Sequence, residues 1–146
     1  YSVCDISADC YFEELRQDFE GAYYGMYFLE LADYCTRENN DEREVLKLLY
    51  QSLRALTVKS IPRRLVRCIY EIRLIVANGE FPGLPQGNFS ETALYAVEFI
   101  AGTPVEKLYT FTLKEEVLAE LVQIAEKYRR DFLPGEFHTL EILETL

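Results

Sequence analysis

Residues 11–31 read YFEELRQDFEGAYYGMYFLEL, and this stretch decides the fold class. Its apolar side chains recur at steps of three and four residues, the spacing that places them along the faces of an α-helix. They form two strips, one of Phe12, Leu15, Phe19, Ala22, Met26 and Leu29 and one of Tyr23, Tyr27, Leu31 and Tyr34. A helix that is apolar over so much of its girth is typical of the middle of a bundle, so we expect other helices to surround it.

Two more helices are predicted between this stretch and residue 79. Asp41 is a candidate cap for the second helix, and Ser60 is a candidate cap for the third, which has Pro62 in its first turn. The expected buried stripes are Leu46, Leu49, Leu53 and Leu56 in the second helix and Leu65, Ile69, Ile72 and Val76 in the third. Asn78-Gly79 is a stop signal, because glycine accepts the left-handed conformation that ends many helices.

The second half of the chain continues the helical pattern after a loop. Residues 80–89 contain Pro82, Gly83, Pro85 and Gly87, which predicts a loop or hinge. Ser90 is a candidate cap for a fourth helix, a helical turn is expected around Val105–Tyr109, and Leu113–Phe132 is predicted to be the last long helix. The tail is expected to fold back onto the bundle through Phe137, Leu140 and Leu143. The sequence therefore predicts an all-α fold, a single helical bundle of about five to six helices over residues 1–146.

The distribution of charge is more informative than its total. The net charge of −10 argues against nucleic-acid binding by the whole chain, because phosphate contacts need clustered lysines and arginines. From Val45 to Tyr70, however, there is no acidic residue. The six cations of this segment, here called the basic island, are Lys47, Arg54, Lys59, Arg63, Arg64 and Arg67.

The basic island predicts a docking site for an acidic peptide with a hydrophobic end. Its arginines in the third helix alternate with Leu65, Val66 and Ile69, a pattern that we interpret as a cationic rim around aliphatic surface. The predicted partner-binding residues are Lys59, Arg63, Arg64, Arg67 and Arg73. The alternative is that the acidic remainder of the fold pairs with these arginines internally.

Catalytic and metal chemistry have little support in the sequence. There is no nucleophile elbow, phosphate-binding loop, dinucleotide fingerprint or zinc-protease motif, and His138 is the only histidine. The four cysteines Cys4, Cys10, Cys35 and Cys68 form no closely spaced pair of the kind that binds zinc. We therefore expect a protein that is not an enzyme, with no cofactor, no metal site and free thiols in a reducing cytoplasm.

The ends of the chain indicate a piece of a longer protein. It begins at Tyr1 without a methionine or a signal-peptide leader. It also contains no apolar run near the roughly 18 residues that a membrane span needs. These features predict a cytoplasmic location.

Four segments in order resemble the helical C-terminal domain of the RecO family. Tyr11–Leu31 is similar to the family's first helix, with its F-x-x-L-R-x-D and A-x-Y-x-x-E-L patterns. Leu49–Leu56 resembles the L-L-x-x-L-x-x-L of the second helix, and Leu65–Ile75 followed by Gly79 resembles the R-x-x-F-E-L-x-L-L helix, with Tyr70 and Ile72 in place of Phe and Leu. Phe132–Leu143 is similar to the closing K-x-F-K-S-L-x-F-L element.

The resemblance implies a bacterial recombination mediator in DNA repair. RecO proteins bind and anneal single-stranded DNA, work with RecR, help to load RecA and engage the acidic, hydrophobic-ended tail of single-stranded DNA-binding protein. They have no known turnover chemistry. The resemblance thus implies single-stranded DNA-binding protein and RecR as partners.

Three departures from the family pattern bear on these expectations. The N-terminal OB-fold that carries the family's main DNA-binding surface is absent from this sequence, so we expect weak DNA binding at best. Residues 80–89 lie where many members carry a four-cysteine zinc element, and Pro85-Gln-Gly-Asn88 has no cysteine. Cys68 occupies a position that contributes an arginine to the family's tail-binding pocket.

A second function class fits the aromatic content. The tyrosine-rich core could enclose a small molecule, which would make the chain a ligand-binding helical regulator. A closed apolar cavity would favour this alternative, whereas a filled interior would favour an interaction scaffold.

Overall fold

A computed structural model of the chain describes residues 19–38 and 42–133. This part of the chain contains five α-helices, one 3-10 turn and no strand, so the all-α prediction is confirmed. The helices are α1 (Phe19–Glu38), α2 (Glu42–Leu56), α3 (Arg63–Ala77), α4 (Glu91–Gly102) and α5 (Glu115–Phe132), and the 3-10 turn is Val105–Lys107. No helix in the described ranges is both long enough and apolar enough to cross a membrane.

The central helix of the bundle is α3. It packs against α1, α2, α4 and α5, and apolar side chains cover most of its circumference. Leu65, Ile69 and Ile72 of the predicted stripe are fully buried, and so is Ile75, which the stripe did not include. Val76 of that stripe is only partly buried.

The prediction that the first helix occupies the middle of the bundle is wrong for the described part of the chain. Its buried side carries Tyr24, Tyr27, Phe28 and Leu31. The opposite side is exposed: Phe19 is 82% exposed, Met26 is 49% exposed and Leu29 is 52% exposed. The helix therefore has two apolar faces, of which only one lies in the core. Its predicted start near Ser7 or Asp9 falls outside the described residues.

The buried face of the second helix differs from the stripe that the sequence predicted. Leu49, Leu53 and Leu56 are buried as expected, but Leu46 is 54% exposed. Val45 and Leu48 take its place in the core. Gly25 of α1 faces this helix, and a Cβ atom at that position would lie 3.5 Å from Cδ2 of Leu53. This distance is an ordinary van der Waals contact, so α1 and α2 lie close together at Gly25 and Leu53.

Aromatic side chains fill the junction of α1 and α3. The rings of Phe28 and Tyr70 stack with their centroids 4.2 Å apart, and the hydroxyl of Tyr70 donates a hydrogen bond of 2.6 Å to the Phe28 carbonyl. Tyr27 lies beside Phe28 with a centroid distance of 6.2 Å. The rings therefore pack against one another rather than around open space.

The predicted stop and start signals around the loop 80–89 are confirmed. Gly79 has a φ of +76°, and the amides of Asn78, Gly79 and Glu80 donate to carbonyls in the last turn of α3. The loop is tied to α5, where the hydroxyl of Tyr128 donates a hydrogen bond of 2.7 Å to the Gly83 carbonyl. Ser90 caps α4 by accepting a 3.2 Å hydrogen bond from the Ala93 amide.

The predicted cap at Ser60 is wrong. Helix α3 begins at Arg63 after Pro62, and no side chain caps it. Proline presets the backbone dihedral φ for helix entry and has no amide to satisfy, which makes a capping serine dispensable at this point.

The two serines provide a matched test of this assignment. Ser90→Ala is expected to lower the free energy of unfolding by about 1 kcal/mol, because it removes the cap of α4. Ser90 also donates a 2.6 Å hydrogen bond to Glu120. Ser60→Ala, the same change at an exposed turn, is expected to cost less than about 0.5 kcal/mol. Urea denaturation followed by circular dichroism measures both, and equal losses would contradict the assignment.

Candidate partner-binding groove

Three cations of the basic island form the following ion pairs within the described residues. Lys47 pairs with Glu106 at 2.8 Å, Arg63 with Glu20 at 3.3 Å, and Arg67 with Glu71 at 3.3 Å. The Lys47 pair joins two exposed side chains and the Arg63 pair joins a partly exposed to an exposed one, so both contribute little to stability. The third is different, because Glu71 is only 2% exposed.

The interpretation of α3 as a cationic rim around aliphatic surface is wrong in one respect. Leu65, Val66 and Ile69 are completely buried in the core and present no surface to a partner. The side chains alternate in sequence, but on a helix neighbouring positions point about 100° apart. The arginines and the aliphatic residues therefore face opposite sides of α3.

Arg73, one of the predicted partner-binding residues, lies at the C-terminal end of α4. Its guanidinium donates hydrogen bonds to the carbonyls of Ile100 at 2.9 Å, Ala101 at 3.1 Å and Thr103 at 2.7 Å. The last carbonyls of a helix have no partner within the helix and carry partial negative charge, so a cation stabilises them. The position of Arg73 gives it a capping role in the fold.

A groove of about 310 Å³ lies between α3 and α5. We call it the arginine groove, because three arginines line it. Its complete lining is Arg64, Arg67, Cys68 and Glu71 from α3 and Val122, Glu126 and Arg129 from α5. Within each helix these residues are spaced by three or four positions, which places them on one helix face.

Glu71 organises the buried side of the groove. Its Oε2 atom accepts a hydrogen bond from the hydroxyl of Tyr27 and one of 3.3 Å from Nε of Arg67. Nε of Arg129 lies 3.4 Å from the same oxygen and forms an ion pair with it. The guanidinium of Arg67 also lies 5.5 Å from the centre of the Tyr27 ring. One buried carboxylate thus joins α1, α3 and α5.

The state of Tyr27 fits its role as a donor in this network. Burial, together with the negative charge of Glu71, raises the pKa of Tyr27 well above its ordinary value. The phenol therefore remains protonated and donates its hydrogen to the carboxylate. This contribution to stability is present below the unfolded pKa of about 10 and is lost as pH rises above it.

Cys68 brings an apolar thiol into the groove. Burial raises the pKa of this thiol well above its ordinary value, so the reactive thiolate is not formed at neutral pH. Within residues 19–38 and 42–133, no three His, Cys, Asp or Glu side chains are grouped in a way that could hold a metal ion. The groove offers charge and shape for binding, and no nucleophile.

The exposed mouth of the groove is formed by Arg64. This residue is exposed and makes no ion pair with the rest of the described structure. It lies in the first turn of α3, which contains no acidic residue. A helix N-terminus carries partial positive charge, and a cation there is unfavourable by about 0.3 to 1 kcal/mol. Arg64 therefore adds to an electropositive end of the helix.

The structure brings together only part of the predicted site. Arg64 and Arg67 line the groove, Lys59 is exposed in the turn before α3, and Arg63 turns toward α1. The groove residues absent from the prediction are Glu71, Val122, Glu126 and Arg129. The i, i+4 spacing of Arg67 and Glu71 was a readable signal for a helical ion pair. The contribution of α5 depends on helix packing, which no local pattern encodes.

Comparison with known proteins connects α3, which carries one wall of the groove, to one family, whereas α5 lies outside the matched residues. Residues 16–87 match the sequence profile of the family described as Recombination protein O C terminal. The matched segment is just under half of the chain and includes α1, α2 and α3. No solved structure matches the chain.

Two curated relatives carry the same family name. The DNA repair protein RecO of Caldicellulosiruptor saccharolyticus is 29% identical over 86 residues, which are 59% of this chain and 35% of that protein. The DNA repair protein RecO of Caldicellulosiruptor bescii is 36% identical over 81 residues, which are 56% of this chain and 33% of that protein. The matches therefore span about a third of each relative. The resemblance to the RecO C-terminal domain is confirmed for this segment.

Proposed function

From the RecO-type sequence of residues 16–87, we propose that this chain is a non-enzymatic, cytoplasmic docking domain that acts in DNA repair and recombination. Its partner is the acidic, hydrophobic-ended tail of single-stranded DNA-binding protein, and its docking site is the arginine groove. RecR is a second partner, proposed on the family resemblance alone. The observation that carries the proposal is the grouping of Arg64, Arg67 and Arg129 around one groove.

The charge of the groove supports an anionic ligand. Three arginines and two carboxylates line it, which leaves a formal charge of +1 in a chain whose net charge is −10. One of the carboxylates, Glu71, is buried and lies beneath Arg67 and Arg129. Lys59 adds positive charge at the same end of α3, where Arg63 is paired with Glu20. Such local charge steers an acidic peptide and sets its orientation.

The shape of the groove supports a short hydrophobic anchor. Cys68 and Val122 provide apolar lining between the arginines. Cys68 stands where the family pattern has an arginine. On the opposite wall, Arg129 from α5 supplies positive charge. An apolar anchor with charged surroundings is the arrangement in which the anchor supplies affinity and the charges supply selectivity.

The packing of the aromatic residues favours a scaffold over a ligand-binding regulator. The rings of Phe28 and Tyr70 contact each other, and Tyr27 is engaged by Glu71. The arginine groove is open to solvent and is lined mostly by charged groups. Both features differ from the enclosed, aromatic-lined pocket that the alternative requires.

The proposal is tested by titrating a fluorescent tail peptide of single-stranded DNA-binding protein with the 146-residue chain. Arg64→Glu is expected to weaken binding by roughly tenfold at low salt, since it removes one favourable charge and adds an unfavourable one. The affinity of the unmodified chain is expected to fall as salt rises. Arg64 is exposed, so the substitution leaves the core intact.

Lys127→Glu is the matched control. It makes the same change in net charge on an exposed position of α5 that does not line the groove. Its affinity is expected to stay within about twofold of the unmodified chain, because Lys127 does not line the groove and its exposed charge makes no direct contact with a peptide bound there. Equal effects of the two substitutions would show that only overall charge matters, and absence of binding to the unmodified chain would reject the site.

A further inference from the structure

The exposed face of α1 has the spacing of a helix-packing seam. Phe19, Ala22, Met26 and Leu29 follow one another at intervals of three, four and three residues. This is the heptad spacing with which one helix packs along another. Three of these four side chains are large and about half exposed or more, and the buried face of the same helix lies on its other side. The strip is therefore an apolar seam that the helices of the described ranges leave exposed.

The adjacent face of α2 is also apolar. Leu46 is 54% exposed and Tyr50 is 44% exposed. Gly25 and Leu53 lie at the contact between the two helices, and Leu29 follows Gly25 by one helical turn. The apolar strips of α1 and α2 thus belong to one outer surface, here called the hairpin face. It holds five of the eight large exposed apolar residues of the described structure.

The two halves of the hairpin face carry opposite charges. On the α1 side, Glu30 and Asp33 lie on the same helix face as Met26. On the α2 side, Arg43, Lys47 and Arg54 lie on the same helix face as Tyr50. Glu42 lies beside Arg43 and Leu46, and the three cations leave this side positive overall. Lys47 is in an exposed ion pair with Glu106, which contributes little and can exchange. An acidic strip beside a basic strip is complementary to a copy of itself turned by 180°.

We propose that the hairpin face binds a second copy of this chain with two-fold symmetry. A two-fold axis parallel to the helices places α1 of each copy against α2 of the other. Since α1 ends at Glu38 and α2 begins at Glu42, Asp33 then lies level with Arg43 and Lys47 of the second copy. Met26 and Leu29 lie against the apolar strip of the other α2. The alternative two-fold arrangement, α1 against α1, brings like charges together and is disfavoured.

The size of the face predicts a weak, reversible dimer. The strip from Phe19 to Asp33 is about 21 Å long at 1.5 Å per residue, and two helices side by side are roughly 20 Å wide. Such a face buries on the order of 1,000 Å² in total, near the lower limit of specific interfaces. The dissociation constant is therefore expected in the micromolar range.

Sedimentation equilibrium of the full 146-residue chain tests the proposal. The mass is expected to rise from 17.0 kDa toward twice that value as concentration increases through the micromolar range. Leu29→Glu and Leu46→Glu, on different helices, are each expected to raise the dissociation constant at least about tenfold. Higher salt is expected to weaken the dimer of the unmodified chain.

Tyr95→Glu is the matched control, since Tyr95 is 68% exposed on α4 and lies outside the hairpin face. It introduces the same charge and is expected to leave the dimer unchanged. Circular dichroism verifies that all three variants remain helical. A chain that stays monomeric up to roughly 300 μM, or that dimerises equally well with Glu at positions 29 and 95, would overturn the proposal. Because this readout involves no peptide, its failure is distinguishable from failure of the arginine groove.

Discussion

Glu71→Ala is expected to lower the free energy of unfolding by roughly 3 to 5 kcal/mol, the largest effect of any single substitution considered for this protein. Glu71 is a buried carboxylate that accepts from Tyr27 and pairs with Arg67 and Arg129. Its removal takes an acceptor away from the buried Tyr27 hydroxyl and a counter-charge away from two partly buried arginines. Removing one partner of a buried pair is costly because the other partner cannot regain its solvation.

Glu126→Ala provides the comparison for this prediction. It makes the same change in net charge in the same groove, but Glu126 is exposed, so the expected loss is below about 0.5 kcal/mol. Urea denaturation of both variants measures the difference. Similar losses for the two substitutions would show that the Glu71 network does not hold the three helices together.

Arg73→Met is expected to lower the free energy of unfolding by roughly 2 to 3 kcal/mol. Methionine retains most of the aliphatic stem, so the change removes mainly the guanidinium that donates to the carbonyls of Ile100, Ala101 and Thr103. Hydrogen bonds from a charged donor contribute more than neutral ones, and three carbonyls lose their partner at once.

The same substitution separates the two roles assigned to Arg73. If it caps α4, the folded variant binds the tail peptide as well as the unmodified chain does. If it contacts the partner, as the sequence predicted, the affinity falls while the free energy of unfolding stays within about 0.5 kcal/mol. Peptide titration and urea denaturation of one protein sample therefore decide between the roles.

Helix periodicity predicted the order and class of the elements because it is a local property. The stripe of α3, the stop at Gly79 and the cap at Ser90 each depend on residues within one or two turns. The prediction that Ser60 caps α3 is wrong for a reason that is also local. Pro62 makes helix entry possible without a capping side chain. The tail residues Phe137, Leu140 and Leu143 lie outside the described part of the chain.

Which face of a helix lies in the core could not be predicted from periodicity alone. The first helix has two apolar strips of similar strength, and only contact with α2 and α3 determines that Tyr27 and Phe28 are buried while Met26 is exposed. The same limit applies to Leu46, which belongs to the predicted stripe with Leu49 but is exposed in the structure. An apolar strip in the sequence indicates that the helix packs against another surface. It does not determine whether that surface belongs to the same chain.

The sequence predicted the positive charge of the candidate site but not all of the residues that line it. The basic island pointed to α3, and two of its arginines, Arg64 and Arg67, line the candidate groove. The opposite wall comes from α5, about 60 residues later in the chain, through Val122, Glu126 and Arg129. Their contribution follows from the packing of α5 on α3, a long-range property that depends on the whole core.

The most direct measurement of the central claim is an amide NMR titration of the isotope-labelled chain with the tail peptide. Docking in the arginine groove predicts that the largest chemical-shift changes occur at Arg64, Cys68, Val122 and Glu126, on the facing sides of α3 and α5. Saturating peptide that leaves these amides unchanged, or that shifts only the hairpin face or α4, would contradict the assignment of the groove as the docking site.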